Sequence, residues 1–440
     1  MHSFPALRRD KGDWLIAATL LLAVALLFYL SLGRDALRPL LDSLQRQGWH
    51  HLLLHGGVLL GYLGLGLAAL RVGLWALYRP AELPAPADAP TLTVVIPAYN
   101  EGEMVGRCID SVAQARYARE RLQIIAVDDG SRDDTWEHML RAAERHPQLV
   151  HLIRFDANRG KRAALAAGFA RAQGQITVTI DSDSVIEADT LLAMVAPFRD
   201  PRVGGVAGRV AVYNRHAGLI PRMLHVRYAM SFDFLRAAQS TLGNVYCCPG
   251  ALSAYRTAAV RQVLPEWLHQ RFLGAACTIG EDRALTNHML ALGLDVRYQS
   301  NAVVHTLAPL SYRGLCKMFL RWGRSQVRED FRLLALLGRR RWPARVLAAL
   351  DVLVGHSAQF LGLVALPSAL WLALQEPRLL GYLALGVGIG AAPGMVYFLR
   401  LERSLHCVYG LVYGFYSALT LFWIMPYAAL TVRTRGWLTR

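Results

Sequence analysis

The chain has 440 residues, 54% of them hydrophobic and 18% charged, with a formal net charge of +16. That balance allows a soluble domain together with several membrane spans. The basic excess is arginine, since only Lys11, Lys161 and Lys317 are lysines; it suits an anionic membrane surface or a polyanionic substrate, and with the arginines scattered and no DNA- or RNA-binding motif legible, nucleic acid is excluded as a partner.

Trp14 to Leu32 is apolar and follows Arg8, Arg9 and Lys11, so it reads as a span with its N-terminus in the cytoplasm. A cleaved signal peptide is excluded by the length of the run, by the lack of a small-residue cleavage site and by a second apolar run at about Leu52 to Tyr78. Two spans return the chain to the cytoplasm. The proline-rich stretch from Arg79 to Pro90 is a linker, and a soluble domain begins at Thr91.

From Thr91 to about Leu310 short apolar runs alternate with helix-like segments, the pattern of a parallel sheet covered on both faces. The expected strands are Leu92–Pro97, Leu122–Val127, Val150–Phe155, Ile176–Ile180 and roughly Val203–Val210. Ligands of such sheets bind outside the carboxyl ends of the strands.

The second strand ends in Asp128-Asp129-Gly130-Ser131. Acidic residues there can accept hydrogen bonds from a nucleotide's base or ribose, although for Asp129-Gly130 alone an ordinary turn before a capped helix is the better reading. Asn158-Arg159-Gly160-Lys161-Arg162 opens a helix. It can cradle phosphate oxygens or be a solvated basic turn; the scarcity of lysine favours a specific role for Lys161. The strand Ile176–Ile180 runs into Asp181-Ser182-Asp183, where alternation turns both carboxylates the same way. They can share Mg2+ or Mn2+ carrying a nucleotide diphosphate, or simply close a strand in water. Gly280-Glu281-Asp282 reads as an acidic first helical turn.

Tyr312 to Leu337 mixes aromatic and aliphatic residues with regularly spaced cations, as in a helix at a membrane surface or a solvated basic helix. Apolar runs resume at Val346–Leu374, Leu379–Leu399 and Cys407–Val432. Three spans would leave the C-terminus outside, whereas Arg433, Arg435 and Arg440 place it inside, and the parity stays open. The six cysteines show no C-x-x-C spacing and read as buried reduced thiols.

The series Val127-Asp128-Asp129-Gly130-Ser131, Gly160-Lys161-Arg162, Asp181-Ser182-Asp183, Gly280-Glu281-Asp282 and Arg321-Trp322 resembles the processive membrane glycosyltransferases of family 2. It is most similar to hyaluronan synthases, chitin synthases and nodulation chito-oligosaccharide synthases, with a weaker echo at Trp437-Leu438-Thr439-Arg440. The resemblance implies an α/β GT-A (Rossmann-like) domain set between transmembrane helices. Its layout would be residues 1–78 with two spans, linker 79–90, a cytoplasmic catalytic domain 91–310, interfacial helices 311–342 and spans 343–440. It further implies donor contacts from Pro97, Asp128, Asp129, Lys161, Asp181 and Arg321, acceptor contacts from Cys248, Gly250 and Trp322, metal on Asp181 and Asp183, and Asp282 as catalytic base. The implied reaction moves sugar from a UDP-sugar, UDP-GlcNAc or UDP-GlcA, to a growing β-linked polysaccharide such as hyaluronan or a chitin-like polymer. The enzyme would sit in the cell (inner) membrane and export its product; transfer of one sugar to a lipid carrier is the alternative. Two departures stand out: Pro249-Gly250 reverses the relatives' Gly-Pro order, and Met318 replaces their glutamine.

Overall fold

The computed structural model describes residues 50–375 and 377–434. The span expected over Trp14–Leu32 and the echo at Trp437–Arg440 lie outside the described residues.

The expected strands form, as β1 (Leu92–Ala98), β2 (Leu122–Asp128), β3 (Val150–Arg154), β4 (Ile176–Thr179) and β6 (Val203–Val212). Their near-continuous Val, Ile and Leu runs fit burial on both faces; every residue of β1 and β6 is buried. Three strands were not foreseen: β5 (Ser184–Ile186), β7 (Ser253–Arg256) and β8 (Asp295–Thr306).

They change the sheet from parallel to mixed. Its order is β3-β2-β1-β4-β7-β6-β8-β5, with β7 antiparallel to both β4 and β6 and with β5 antiparallel to β8. The carboxyl ends of β1, β2 and β4 still lie side by side, since Ala98 pairs with Asp128 and Val95 with Thr179. This alignment puts the ends of three motif-bearing strands on one rim.

Helices pack on both faces and below the rim. Those that shape the site are α1 (His50–Leu77), α2 (Lys161–Arg171), α3 (Leu219–Ala229), α4 (Leu235–Thr241), α5 (Glu281–Ala291) and α6 (Tyr312–Leu336). A π-helical turn, Met230–Phe234, joins α3 to α4. Trp267 is fully buried with its ring 5.9 Å from Phe169 of α2. Burial of each such side chain is worth about 1.5–3 kcal/mol and fixes α2 beneath the rim.

Helix α6 starts at Ser311, whose Oγ accepts from the Gly314 N–H at 3.1 Å. The sequence offers a helix at a membrane surface or a solvated basic helix. Instead Arg324, Arg328, Glu329 and Asp330 are all buried, because α5 packs on one side and the last helices on another.

The remaining helices are α7 (Trp342–Gln375), α8 (Arg378–Glu402), α9 (Tyr409–Thr420) and α10 (Ile424–Leu430). Among the described residues three helical stretches are long and apolar enough to cross a membrane, Leu59–Leu77, Trp342–Ser368 and Leu383–Glu402. The pair α9 and α10 is bent by 48° and is either a fourth, broken span or a re-entrant loop. Both ends of that pair touch the sheet-containing domain. Tyr409 Oη accepts from Arg222 of α3 at 3.0 Å, and Thr431 Oγ1 accepts from Arg324 of α6 at 3.1 Å.

Candidate active site

A cavity of about 490 Å³ opens between the strand rim and α4, α5, α6 and α7. Lys161, Asp181, Asp183, Gly250, Asp282, Arg321 and Trp322 all line it. Motifs spread over 162 positions, from Lys161 to Trp322, therefore meet in one space.

Lys161 begins α2 at the rim. Its Nζ lies 2.5 Å from Asp181 Oδ1 and 2.9 Å from Glu281 Oε1. Burial alone would lower the ammonium's pKa, but the two carboxylates outweigh it and raise it, so Lys161 is charged across the whole working range. Burial likewise pushes Glu281 upward, and the Lys161 charge reverses this and holds it at about 2. Gly250 sits against the pair, where a Cβ would come within 2.8 Å of Lys161 Nζ. A side chain there would displace the lysine.

Asp183 ends the rim with Oδ1 accepting from Ser184 Oγ and Thr306 Oγ1, both at 3.1 Å. Among the described residues no group of three His, Cys, Asp or Glu forms a metal cluster. Two hard carboxylates on one cavity nevertheless fit Mg2+ or Mn2+, which typically take one or two protein carboxylates and complete their shell with substrate phosphate and water.

Asp282 occupies the first turn of α5. The helix can start there because Gly280 takes φ +73° and has no side chain; a Cβ would lie 1.9 Å from Ser325 Oγ. Asp282 Oδ1 accepts from the Arg283 N–H at 2.7 Å and Oδ2 from the Gly250 N–H at 3.1 Å. Burial, and then the charge of Glu281, raise its pKa above the usual aspartate value. Such a carboxylate is a stronger base than one in water.

Trp322 forms the opposite wall, with its ring 6.3 Å from Tyr228, 6.1 Å from Phe232 and 5.6 Å from Phe319. Met318, one turn before it, also lines the cavity, and its sulfur accepts from Tyr228 Oη at 3.8 Å.

Three expected contacts sit elsewhere. Asp128 is fully buried beside the rim, accepting from the Ser131 N–H at 3.0 Å with Arg154 Nε 3.3 Å away. Asp129 accepts from the N–H groups of Arg159 and Gly160 and from Asn158, and so braces the loop that presents Lys161. Cys248 is buried in the core with its N–H on Thr286 Oγ1, while Cys247 lines the cavity with Sγ 3.8 Å from Asp282 Oδ2. Of the adjacent pair, Cys247 and not the expected Cys248 lines this cavity. Pro97 lines a smaller adjoining space with Lys161, Asp181 and Asp282.

The sequence reading missed Arg236, which is buried in the wall with its guanidinium 4.2 Å from the Phe232 centroid. It also missed the ion pair of Arg71 with Asp351, 2.7 Å apart across α1 and α7. Charged residues inside apolar runs were the available signal.

A mixed sheet with carboxylates at one rim and an acidic helix N-terminus across the cleft fits a GT-A glycosyltransferase, and the enzyme is a hexosyltransferase. Residues 93–264 match the family described as Glycosyl transferase family 2. The chain is 30% identical over 355 residues to an N-acetylglucosaminyltransferase of Azorhizobium caulinodans, covering 80% of this chain and 87% of that protein. It is 34% identical over 282 residues to a hyaluronan synthase of Streptococcus pyogenes, covering 63% of this chain and 65% of that one. A mannosyltransferase of Pyrobaculum calidifontis, solved with GDP-Man and Mn2+, superposes with a TM-score of 0.55 at 22% identity over 82% of this chain and 99% of that one. The chain belongs to glycosyl transferase family 2 and is a relative of the polysaccharide synthases within it.

Proposed function

We propose that this enzyme transfers sugar, with inversion, from a UDP-sugar to a growing β-linked polysaccharide. The observation that carries the proposal is the single cavity shared by a cation and carboxylates at the rim, a basic aspartate and an aromatic wall. Lys161 and Arg321 bind the diphosphate, and Pro97, Asp128 and Asp129 shape the nucleotide end of the site. Asp181 and Asp183 hold Mg2+ or Mn2+, which when bound neutralises the diphosphate as it leaves.

Asp282 takes the proton of the acceptor hydroxyl as that oxygen bonds to the sugar's C1 and the bond from C1 to UDP breaks. Its two backbone N–H donors aim the carboxylate. Trp322 carries the acceptor sugar, with Gly250 and Cys247 at its edge, the latter in the place first given to Cys248. UDP-GlcNAc and UDP-GlcA are the donors that the names of the similar proteins suggest.

The catalytic domain, residues 91–310, faces the cytoplasm of the cell membrane, with interfacial helices 311–342 beneath it and spans on either side. The α9 and α10 pair, touching α3 at one end and α6 at the other, is read as re-entrant, a reading in which Arg433 lies on the cytoplasmic side.

Asp282→Asn tests the chemistry. Turnover should fall by about 10²–10⁴-fold, the worth of a general base, while UDP binding stays within twofold of the parent, as about 0.4 kcal/mol or less would require. Loss of UDP binding along with turnover overturns the assignment. Sizing the wild-type product on a gel separates the alternatives: a ladder or high polymer supports elongation, and a single-sugar lipid adduct refutes it.

A further inference from the structure

Three consecutive residues open α5 and turn to three different partners. Glu281 turns to Lys161, Asp282 to the cavity and Arg283 away from the rim, where its buried guanidinium pairs with Asp330 of α6. Asp330 is in turn held from the other side, with Oδ2 lying 2.9 Å from Nε2 of His356 on α7. Asp330 therefore joins the first turn of the base-bearing helix, the middle of α6 and a candidate membrane span.

A buried guanidinium with no acceptor or counter-charge costs several kcal/mol, so one that loses its carboxylate turns to another within reach. Arg283 feels three carboxylates, Asp330 and Glu329 of α6 and its chain neighbour Asp282, and Glu329 is already held by Arg328, Gln270 and Asn287. With Asp330 in place, the Arg283 guanidinium is held on α6 at the cavity wall and not on Asp282, although its Nε finds no partner among the described residues. Asp282 then accepts only two backbone N–H groups and the Cys247 thiol. The charged and titratable groups that interact with Asp282 are Glu281, Lys161, Asp181, Arg236, Cys247, Cys248, Tyr255 and Arg283. Of the cations among them, Arg283 is the one whose other carboxylates come from α6.

We propose that Asp330, oriented by His356, is a positioning residue that keeps the Arg283 cation off Asp282 and so leaves the base free to take a proton. This rests on the assignment of Asp282 as the base. Without the Asp330 charge, Arg283 turns to Asp282, and a guanidinium bridging both carboxylate oxygens occupies the lone pairs that must receive the proton. It also stabilises the ionised form and makes Asp282 a weaker base. Loss of packing alone would do neither.

The test uses the full-length enzyme in lipid nanodiscs with UDP-sugar turnover followed across pH. For Asp330→Asn we expect kcat to fall by about tenfold and the acid limb of the kcat profile to move down by about one pH unit, which is the same factor seen as a pKa. KM for the UDP-sugar should stay within about twofold, since donor contacts are untouched. Arg283→Gln added to Asp330→Asn should recover most of kcat, and His356→Gln should shift the limb in the same direction by less. An unmoved acid limb, a double variant no faster than the single, or a loss carried by KM overturns the proposal. If Asp330→Asn yields no folded enzyme, the acid limb of His356→Gln decides, an unmoved limb again overturning it. Full turnover in Asp282→Asn would overturn the base assignment itself, separately from these outcomes.

Discussion

At the strand rim of the cavity Lys161, Asp181 and Glu281 neutralise one another within 3 Å, whereas the facing wall from α3, α6 and the candidate spans carries rings, a thioether and an ion pair. The first wall is a polar lattice, rigid because each charge fixes the next. The second is a surface of polarisable and aromatic groups, of the kind that can hold a sugar with little directional demand. A polymerase needs both kinds. The leaving diphosphate must be gripped in one geometry, while the product must be held and yet slip forward after each addition.

The comparison breaks first at the rim. Asp183→Asn should lower turnover by about 10³-fold, the scale of removing one charge-stabilising group, without loss of thermal stability or membrane insertion. Turnover assayed with added Mg2+ or Mn2+ checks it, and full activity would show that the rim holds no metal.

Acid should break it next, through Asp282. The carboxylate's pKa is raised by burial and by Glu281, so it protonates at a higher pH than an exposed aspartate. Below that raised value kcat should fall about tenfold per pH unit, as expected for a base needed in its ionised form. The same upward shift means that any stability Asp282 lends is present at acid pH and is lost as pH rises through the raised value. Activity and stability should therefore move in opposite directions on acidification, which paired kcat and melting measurements over the same buffers will show.

The aromatic wall gives the smallest loss per turn and the largest change in product. Trp322→Ala removes a stacking ring worth roughly 0.5–1.5 kcal/mol, so elongation should weaken by about tenfold or less. Product length on a gel should shorten while UDP binding stays normal. Normal chains from this variant would mean that the wall does not carry the acceptor.

The rim was legible in the sequence because its geometry is local. Alternation along Ile176–Asp183 places Asp181 and Asp183 together, and the strand ends follow from continuous apolar runs. β7 was not legible, since four residues ending in Arg256 carry too short a pattern. β8 was hidden by Gln299, Ser300 and Asn301, where its register against β6 shifts. The far wall depends on residues brought together only by helix packing. Arg71 and Asp351 are 280 positions apart, and Arg283, Asp330 and His356 come from three helices. Nothing in the spacing of such residues signals that they will touch.

The scarcity of lysine has a practical consequence for chemical labelling. Two of the three side-chain amines in the chain, Lys161 and Lys317, face the same cavity. The raised pKa of Lys161 keeps it an ammonium and therefore a poor nucleophile toward acylating reagents. An amine-directed probe added to the intact enzyme should therefore leave Lys161 unmodified, which mass spectrometry of its peptide reads directly.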